Sequence, residues 1–225
     1  MEIIHRALKE GRTLLSEYEA KQVLAAYGLP VTREVLIQGT PDLRPALNQV
    51  GYPLVLKGCS AEAAHKTEMG LIRVDIRNQE EAEAAAADLF QLLDGRGGIL
   101  VQEMVKGQRE LVVGLTRDPQ FGPSVMFGLG GIFTEILRDV SFRVAPLEMT
   151  DALEMMGEIR GRKILETVRG MAAADLDTLS RMLIQVGRIG LENEVVREID
   201  INPVILTREG RPVAVDALVV LDKES

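Results

Sequence analysis

The sequence has few of the residues that several kinds of site require. A single cysteine, Cys59, occurs among 225 residues, which excludes an internal disulfide and a cysteine-based zinc cluster. Tryptophan is absent and aromatic residues make up 4%, so stacking platforms for nucleic acid are scarce. No apolar run approaches the ~20 residues of a membrane span, and the first residues lack the apolar core of a signal peptide. We therefore expect a cytoplasmic protein with no membrane partner.

The charge balance excludes a second class of partner. The net charge is −8, and the 26 lysines and arginines are scattered along the chain. Binding to nucleic acid through counterion release needs clustered basic residues, so we expect no nucleic-acid partner. An acidic protein that binds an anion depends instead on single basic side chains, glycine-rich backbone and a divalent metal.

Alternating helix and strand patterns predict an α+β protein with two lobes. "VTREVLIQ" and "PLVLKG" are strand patterns on either side of a helix pattern, and Asn78 with Glu81 caps a long helix. From residue 109, strand patterns separated by turn residues predict an antiparallel meander, and helical patterns follow it. We predict an N-terminal lobe at 26–101 and a C-terminal lobe made of 1–25 and 102–225.

The last two strand patterns form a hairpin that groups three oxygen-bearing side chains. Its turn centres on Glu209, and Asn202 and Asp216 each lie seven residues from it, so they should face each other in an antiparallel pair. Asp200 shares the strand face of Asn202 because side chains alternate along a strand. Two carboxylates and one amide oxygen suit Mg²⁺. The alternatives are a solvated strand pair, and a bulge at Pro203 that moves one strand's residues to the other face.

Three further features are candidates for a nucleotide site. Lys57 ends a buried strand, where its ammonium group can meet a phosphate or simply be solvated. The glycines of "GLGGIF", among them Gly130 and Gly131, can wrap backbone N–H groups around an anion or form a tight turn. The break after Glu103 offers backbone donors and acceptors to an adenine edge, with Glu110 beyond it for ribose hydroxyls, although a hairpin with a charged loop explains the same pattern. Three arginines are either phosphate clamps or surface residues: Arg109, Arg138 and Arg143.

His65 lies in "SAEAAHKTEMG", a segment with little apolar mass that we expect to form a mobile loop. A neutral imidazole nitrogen can attack phosphorus and form a phosphoramidate, which lets a histidine carry a phosphoryl group between sites. A surface histidine with no chemical role is the alternative. The other histidine, His5, lies in an amphipathic N-terminal segment, and we interpret it as structural.

Taken together, four stretches resemble the ATP-grasp β subunit of the NDP-forming acyl-CoA synthetases, of the acetate:CoA ligase (ADP-forming) type. They are "LSEYEAKQVLAAYGLPV", "YPLVLKGCSAEAAHKTEMG", "DPQFGPSVMFGLGGIFTEILRDVSFRVAPL", and "EIDINPVIL" with "VAVDAL". The resemblance runs from about Leu15 to the C-terminus. The β subunits of succinyl-CoA synthetase share parts of it, but they place a glycine-rich loop where this chain has His65.

The resemblance implies an ATP-grasp fold, in which two α+β lobes hold a nucleotide and Mg²⁺ between them. By the same resemblance, His65 is a second phosphohistidine, which receives the phosphoryl group from a histidine of an α subunit and passes it to ADP. Lys57 would bind the nucleotide phosphates and Glu110 the ribose. The adenine contacts would be Glu103, Met104 and Val105, and the metal ligands would be Asp200, Asn202 and Asp216.

The family interconverts acyl-CoA, ADP and phosphate with free acid, CoA and ATP. Its CoA-binding parts are absent from these 225 residues, so the resemblance implies a separate α subunit, in an α₂β₂ assembly, without which the chain is inactive, unless the chain is part of a longer fused polypeptide. The alternative is a non-catalytic ATP-grasp regulatory module of the kind fused to protein acetyltransferases, which commonly lacks the histidine. Two departures from the family pattern bear on loop mobility and on a phosphate contact near Arg169: Leu71 replaces a glycine, and "GRKILETVRG" lacks the glycine that commonly precedes the Arg-Gly pair.

Overall fold

The computed structural model describes residues 1–60, 70–131, 139–168 and 170–222. Contacts divide the chain into two units. Unit 1 contains Met1–Leu15, Glu19–Val31 and Val105–Ser225, and unit 2 contains Ser16–Tyr18 and Thr32–Met104. Within the described residues, no helix combines the length and the apolar character that crossing a membrane would take.

Helices and strands follow one another along the chain much as the patterns predict. The helices are α1 (Glu2–Lys9), α2 (Glu17–Ala26), α3 (Leu43–Val50), α4 (Gln79–Leu93), α5 (Met149–Glu158) and α6 (Leu176–Glu192), with 3₁₀ turns at Thr40–Asp42 and Arg162–Leu165. The strands are β1 (Glu34–Ile37), β2 (Leu54–Cys59), β3 (Ile72–Ile76), β4 (Gly98–Glu103), β5 (Arg109–Asp118), β6 (Gly122–Leu129), β7 (Val140–Val144), β8 (Val196–Leu206), β9 (Pro212–Ala214) and β10 (Leu218–Leu221). Part of the predicted strand "FTEILRD" lies outside the described residues.

Unit 2 is built on an antiparallel sheet in the order β1-β4-β2-β3. Helices α3 and α4 bury their apolar stripes against it, and the alanines of α4 bring that helix close to the strands. Asn78 caps α4 as the sequence predicts, since its Oδ1 accepts a hydrogen bond from the Glu81 N–H at 2.9 Å.

Burial explains one departure from the family pattern, the leucine at position 71. Leu71 is 1% exposed and belongs to the core of unit 2. Its carbonyl accepts a hydrogen bond from the Gly58 N–H at 2.8 Å, and a Cβ on Gly58 would lie 3.1 Å from the Leu71 Cβ. A leucine at position 71 is therefore a packing residue that covers a glycine of β2.

Unit 1 is built on a second antiparallel sheet in the order β10-β8-β5-β6-β7, with β9 paired to β8. The predicted meander is confirmed, because β5, β6 and β7 pair consecutively. Helices α5 and α6 cover one face of this sheet, where Leu183, Val186 and Ile189 of α6 are fully buried. The final hairpin differs from the prediction in one respect: its second strand is interrupted between β9 and β10.

Candidate functional site

The register of the final hairpin is the one that the sequence predicts. Val204 pairs with Ala214 on β9, and Asp200 pairs with Leu218 on β10. In each pair the two residues are equally far from Glu209 in sequence. Continuing this register between the two pairs places Asn202 opposite Asp216. The Val215 N–H also donates to the Pro203 carbonyl at 3.0 Å, which continues the same register to the residues beside Asn202 and Asp216.

The three predicted metal ligands lie on the sheet face that points away from the helices of unit 1. On β8, Ile199 and Ile201 are buried in the core, so Asp200 and Asn202 point to the opposite face, where both are partly exposed. On the facing strand Ala217 and Val219 are buried, which places Asp216 on that same open face.

Strand β8 is bulged near Pro203, as one alternative in the sequence analysis allows. The side chains of Asp200, Asn202 and Asp216 nevertheless remain on one face of the sheet. The β5–β8 ladder shifts register between Leu111 and Val113, opposite the Asn202–Pro203 step. Beyond it the buried residues of β8 change from odd to even positions, at Val204 and Leu206. The facing strand makes the matching change between β9 and β10, so the bulge does not separate Asp216 from Asn202.

The carboxylates of this group repel one another in the absence of a cation. Burial, together with the nearby negative charges of Glu198 and Asp216, raises the pKa of Asp200 to about 6. Gly114 of β5 pairs with Asp200, so no side chain from that strand fills the space beside it. Two crowded carboxylates and one amide oxygen on an open face fit a hard divalent cation. Among the described residues no group of three His, Cys, Asp or Glu side chains could hold a metal, so other ligands must complete the shell.

Within unit 1, the predicted ribose carboxylate and the glycine turn lie next to the predicted metal ligands. The Gly131 N–H donates to Asn202 Oδ1 at 3.4 Å, and the Gly130 N–H donates to the Glu110 carbonyl at 2.8 Å. Gly131 has φ +61°, and a Cβ there would collide with Oε2 of Glu110. Glycine is therefore required where the Glu110 carboxylate meets the turn.

An open concavity of about 400 Å³ adjoins the same face of unit 1. Its polar wall is formed by Glu198, Asp200 and Asn202, and its apolar wall includes Met126 and Phe142. The predicted metal ligands of β8 therefore border a space that is large enough for a phosphate-bearing group.

Lys57 lies in unit 2, but the prediction that it ends a strand is wrong, because β2 continues to Cys59. It is also far less accessible than a solvated lysine. All six residues of β2 are buried, and Lys57 itself is 5% exposed. Its ammonium group donates to Oε1 of Glu17 at 2.7 Å, in an ion pair whose carboxylate side chain is 1% exposed. The sequence analysis did not single out Glu17, because its first-turn position in α2 predicts only a helix start.

The connection after β4 offers fewer backbone N–H donors for an adenine than the sequence predicts. The N–H of Glu103 donates to the Arg33 carbonyl at 3.0 Å, and the N–H of Met104 donates to the Pro53 carbonyl at 3.2 Å. The Glu103 carboxylate is bound by the main-chain N–H and the Nε of Arg33, at 2.9 and 2.8 Å. Of the predicted adenine contacts, the N–H groups of Glu103 and Met104 are thus occupied, and Val105 is the candidate donor.

The remaining predicted site residues either lie outside the described residues or make other contacts. His65, Arg138 and Arg169 lie outside the described residues. Both interpretations of Arg109, as a phosphate clamp and as a surface residue, are wrong: Arg109 is 3% exposed, and its guanidinium donates to the carbonyls of Ile164, Glu166 and Ala172. Arg143 is engaged by Glu158 and Glu154, at 2.5 and 3.6 Å.

Comparison with known proteins gives a consistent result over nearly the whole chain. The model of a family described as an ATP-grasp domain matches residues 6–221. The chain is 42% identical to the β subunit of acetate–CoA ligase [ADP-forming] I of Pyrococcus furiosus, over 98% of this chain and 97% of that protein.

Two solved structures of one enzyme are also similar. The dinucleotide-forming acetyl-coenzyme A synthetase 1 of Ca. Korarchaeum cryptofilum, in complex with coenzyme A, Ca-AMPCP and HgCl⁺, matches with a TM-score of 0.93 and 41% identity, covering 98% of this chain and 99% of that one. Its selenomethionine derivative, with coenzyme A and Mg-AMPPCP, matches with a TM-score of 0.88, 41% identity and the same coverage. In that derivative a phosphohistidine segment points towards the nucleotide binding site.

Proposed function

The chain belongs to the ATP-grasp family, as a β subunit of the ADP-forming acyl-CoA synthetases, and we propose that it transfers a phosphoryl group between a partner's phosphohistidine and ADP through His65. The overall reaction converts acyl-CoA, ADP and phosphate to free acid, CoA and ATP. The observation that carries the proposal is the hairpin register, which sets Asp200, Asn202 and Asp216 on one open face.

The transfer has two balanced steps on this chain. First, an imidazole nitrogen of His65 attacks the phosphorus of the partner's phosphohistidine, whose P–N bond breaks as the new P–N bond forms. Second, a β-phosphate oxygen of ADP attacks that phosphorus, the P–N bond to His65 breaks, and ATP leaves with the imidazole free. In each displacement one bond to phosphorus forms as another breaks, so the phosphoryl group passes from nitrogen to nitrogen and then to oxygen.

The chain's own residues bind and orient the nucleotide. We assign Lys57 to the nucleotide phosphates and Glu110 to the ribose hydroxyls. The adenine would be bound by the backbone N–H of Val105 and by the backbone carbonyls of Glu103 and Met104. The backbone of Gly130 and Gly131 would bind an anionic oxygen. Asp200, Asn202 and Asp216 would hold Mg²⁺, which supplies positive charge to the phosphate oxygens when bound.

The partner is proposed from the names of the relatives and from the chemistry of the family. We propose an α subunit with a CoA-binding domain and a phosphohistidine, in an α₂β₂ assembly; the relative in Pyrococcus furiosus is likewise named as a β subunit. The alternative of a non-catalytic regulatory module finds no support among these relatives, because they are named as ligases or synthetases.

The test is reconstitution with the α partner. Acetyl-CoA, phosphate, Mg²⁺ and ADP should yield ATP with the wild-type chain, whereas a His65→Ala variant should yield none. A His5→Ala variant is the matched control, because His5 lies in α1, and it should keep full activity. Undiminished ATP formation by His65→Ala would refute the transfer through His65.

A further inference from the structure

The strongest unexplained feature of unit 2 is the buried ion pair between Glu17 and Lys57. The side chains are 1% and 6% exposed, and the Lys57 Nζ lies 2.7 Å from the Glu17 Oε1. Forty residues separate the partners in sequence, so the start of α2 and the interior of β2 are brought together only by the fold. An exposed ion pair contributes little and forms readily, but a buried one requires both charges to be desolvated.

Hydrophobic residues of similar size would fill this position without that desolvation. The same strand carries such residues beside Lys57, since Leu54, Val55 and Leu56 are all buried. Replacing a buried ion pair by apolar residues is often neutral or stabilising. A charge pair retained here therefore needs a reason other than the stability of the fold.

We propose that Glu17 is a positioning residue for Lys57: its carboxylate fixes the ammonium group on β2 in the direction from which the nucleotide phosphates meet it. The inference rests on the proposed function, in which Lys57 binds those phosphates. A lysine has a flexible four-carbon chain and three rotatable donors, so it binds a phosphate as a movable point charge. The hydrogen bond to Glu17 sets the direction of the ammonium group and removes the entropy cost of ordering the chain when the nucleotide binds.

The effect of Glu17 should appear in nucleotide binding more than in turnover. In the reconstituted complex we expect Glu17→Ala to raise KM for ADP about tenfold or more, with a smaller change in kcat at saturating ADP. Glu17→Gln keeps an acceptor oxygen without the charge and should lie between alanine and wild type. Glu17→Asp keeps the charge and should restore part of the affinity. If Glu17→Ala does not fold, the glutamine and aspartate variants carry the test.

A double-mutant cycle separates positioning from general damage. Lys57→Met should raise KM for ADP, and adding Glu17→Gln to it should change KM by less than twofold, because the carboxylate acts through Lys57. A roughly fivefold effect of Glu17→Gln alone that vanishes in the Lys57→Met background is a coupling of about 1 kcal/mol. Independent, multiplying effects would overturn the proposal.

Two controls complete the design. Lys21 is also buried and on α2, but it donates to the Val215 carbonyl at 3.2 Å, so Lys21→Met and Lys57→Met should have independent effects on KM. Asp75→Asn breaks an exposed ion pair with Arg77 in the same unit and should leave KM unchanged. If Lys57→Met leaves KM unchanged, the phosphate role fails and the inference with it. If only the Glu17 variants leave KM unchanged, the inference alone fails.

Discussion

Asp200 lies on the same sheet face as Asp216, where burial, and after it the negative charges of Glu198 and Asp216, raise the pKa of Asp200. The pKa of about 6 in the folded chain compares with about 3.9 for an unfolded aspartate. The folded state therefore binds the Asp200 proton more tightly than the unfolded state. This contribution to stability is full below pH ~4 and is lost as the pH rises through ~6.

Asp200→Asn should stabilise the metal-free chain at pH 7, because the amide has no charge to desolvate. Two pKa units correspond to at most about 3 kcal/mol in the free energy of unfolding. Urea titrations at pH 7 and pH 4 measure it: the gain should be present at pH 7 and absent at pH 4. An equal gain at both values would show that ionisation of Asp200 does not cause it.

Removing a proposed metal ligand should raise the Mg²⁺ requirement. Asn202→Ala and Asp216→Asn should each raise the Mg²⁺ concentration for half-maximal ATP formation by roughly tenfold or more, the scale of one lost charge-assisted contact. Asn48→Ala changes an exposed asparagine of α3 and should not shift it. Unshifted Mg²⁺ dependence in both hairpin variants would exclude the hairpin as the metal site.

The Mg²⁺ requirement should also depend on pH. Protons compete with the cation for Asp200 below its pKa of about 6, so the half-saturating Mg²⁺ concentration should rise as the pH falls from 7 to 5. The same titration with Asp200→Asn should show a weaker pH dependence. A half-saturating concentration that is constant across this range would contradict the assignment of Asp200.

Gly131→Ala should weaken ADP binding in addition to the stability loss that a left-handed backbone conformation causes. Gly122 has φ +80° with no atom within 4 Å of the position that an alanine Cβ would take, whereas a methyl at Gly131 meets the Glu110 carboxylate. Both alanines should lose about 1 kcal/mol of stability from the left-handed backbone, and only Gly131→Ala should also raise KM for ADP. Adding Glu110→Ala should recover the extra stability loss; no recovery would show that the carboxylate is not what the methyl meets.

Arg109→Met should destabilise unit 1, since it removes three hydrogen bonds to loop carbonyls from a buried guanidinium. We expect a loss of about 3 kcal/mol in the free energy of unfolding. Arg211→Met is the control, because Arg211 is exposed and its only close acid, among the contacts within the described ranges, is Glu209 at 3.7 Å. Equal stability of the two variants would refute a structural role for Arg109.

Local signals in the sequence were sufficient for the hairpin and for most elements. The Glu209 turn and the even spacing around it determine which residues face each other, and β5 has the bounds that its pattern predicts. The break between β9 and β10 could not be predicted, because it matches a bulge on the neighbouring strand. Glu17 and Arg109 were missed or misinterpreted for a similar reason: their partners are 40 or more residues away, and no periodicity reports such contacts.

The most direct test of the account is to follow phosphate on His65. The α partner, phosphorylated with acetyl-CoA and phosphate, is mixed with this chain in the absence of ADP, and peptides are analysed by mass spectrometry under basic conditions that preserve phosphoramidates. The account predicts an acid-labile phosphate on His65 that disappears as ATP forms when Mg²⁺ and ADP are added. Formation of ATP with no phosphate on His65 at any time would contradict it.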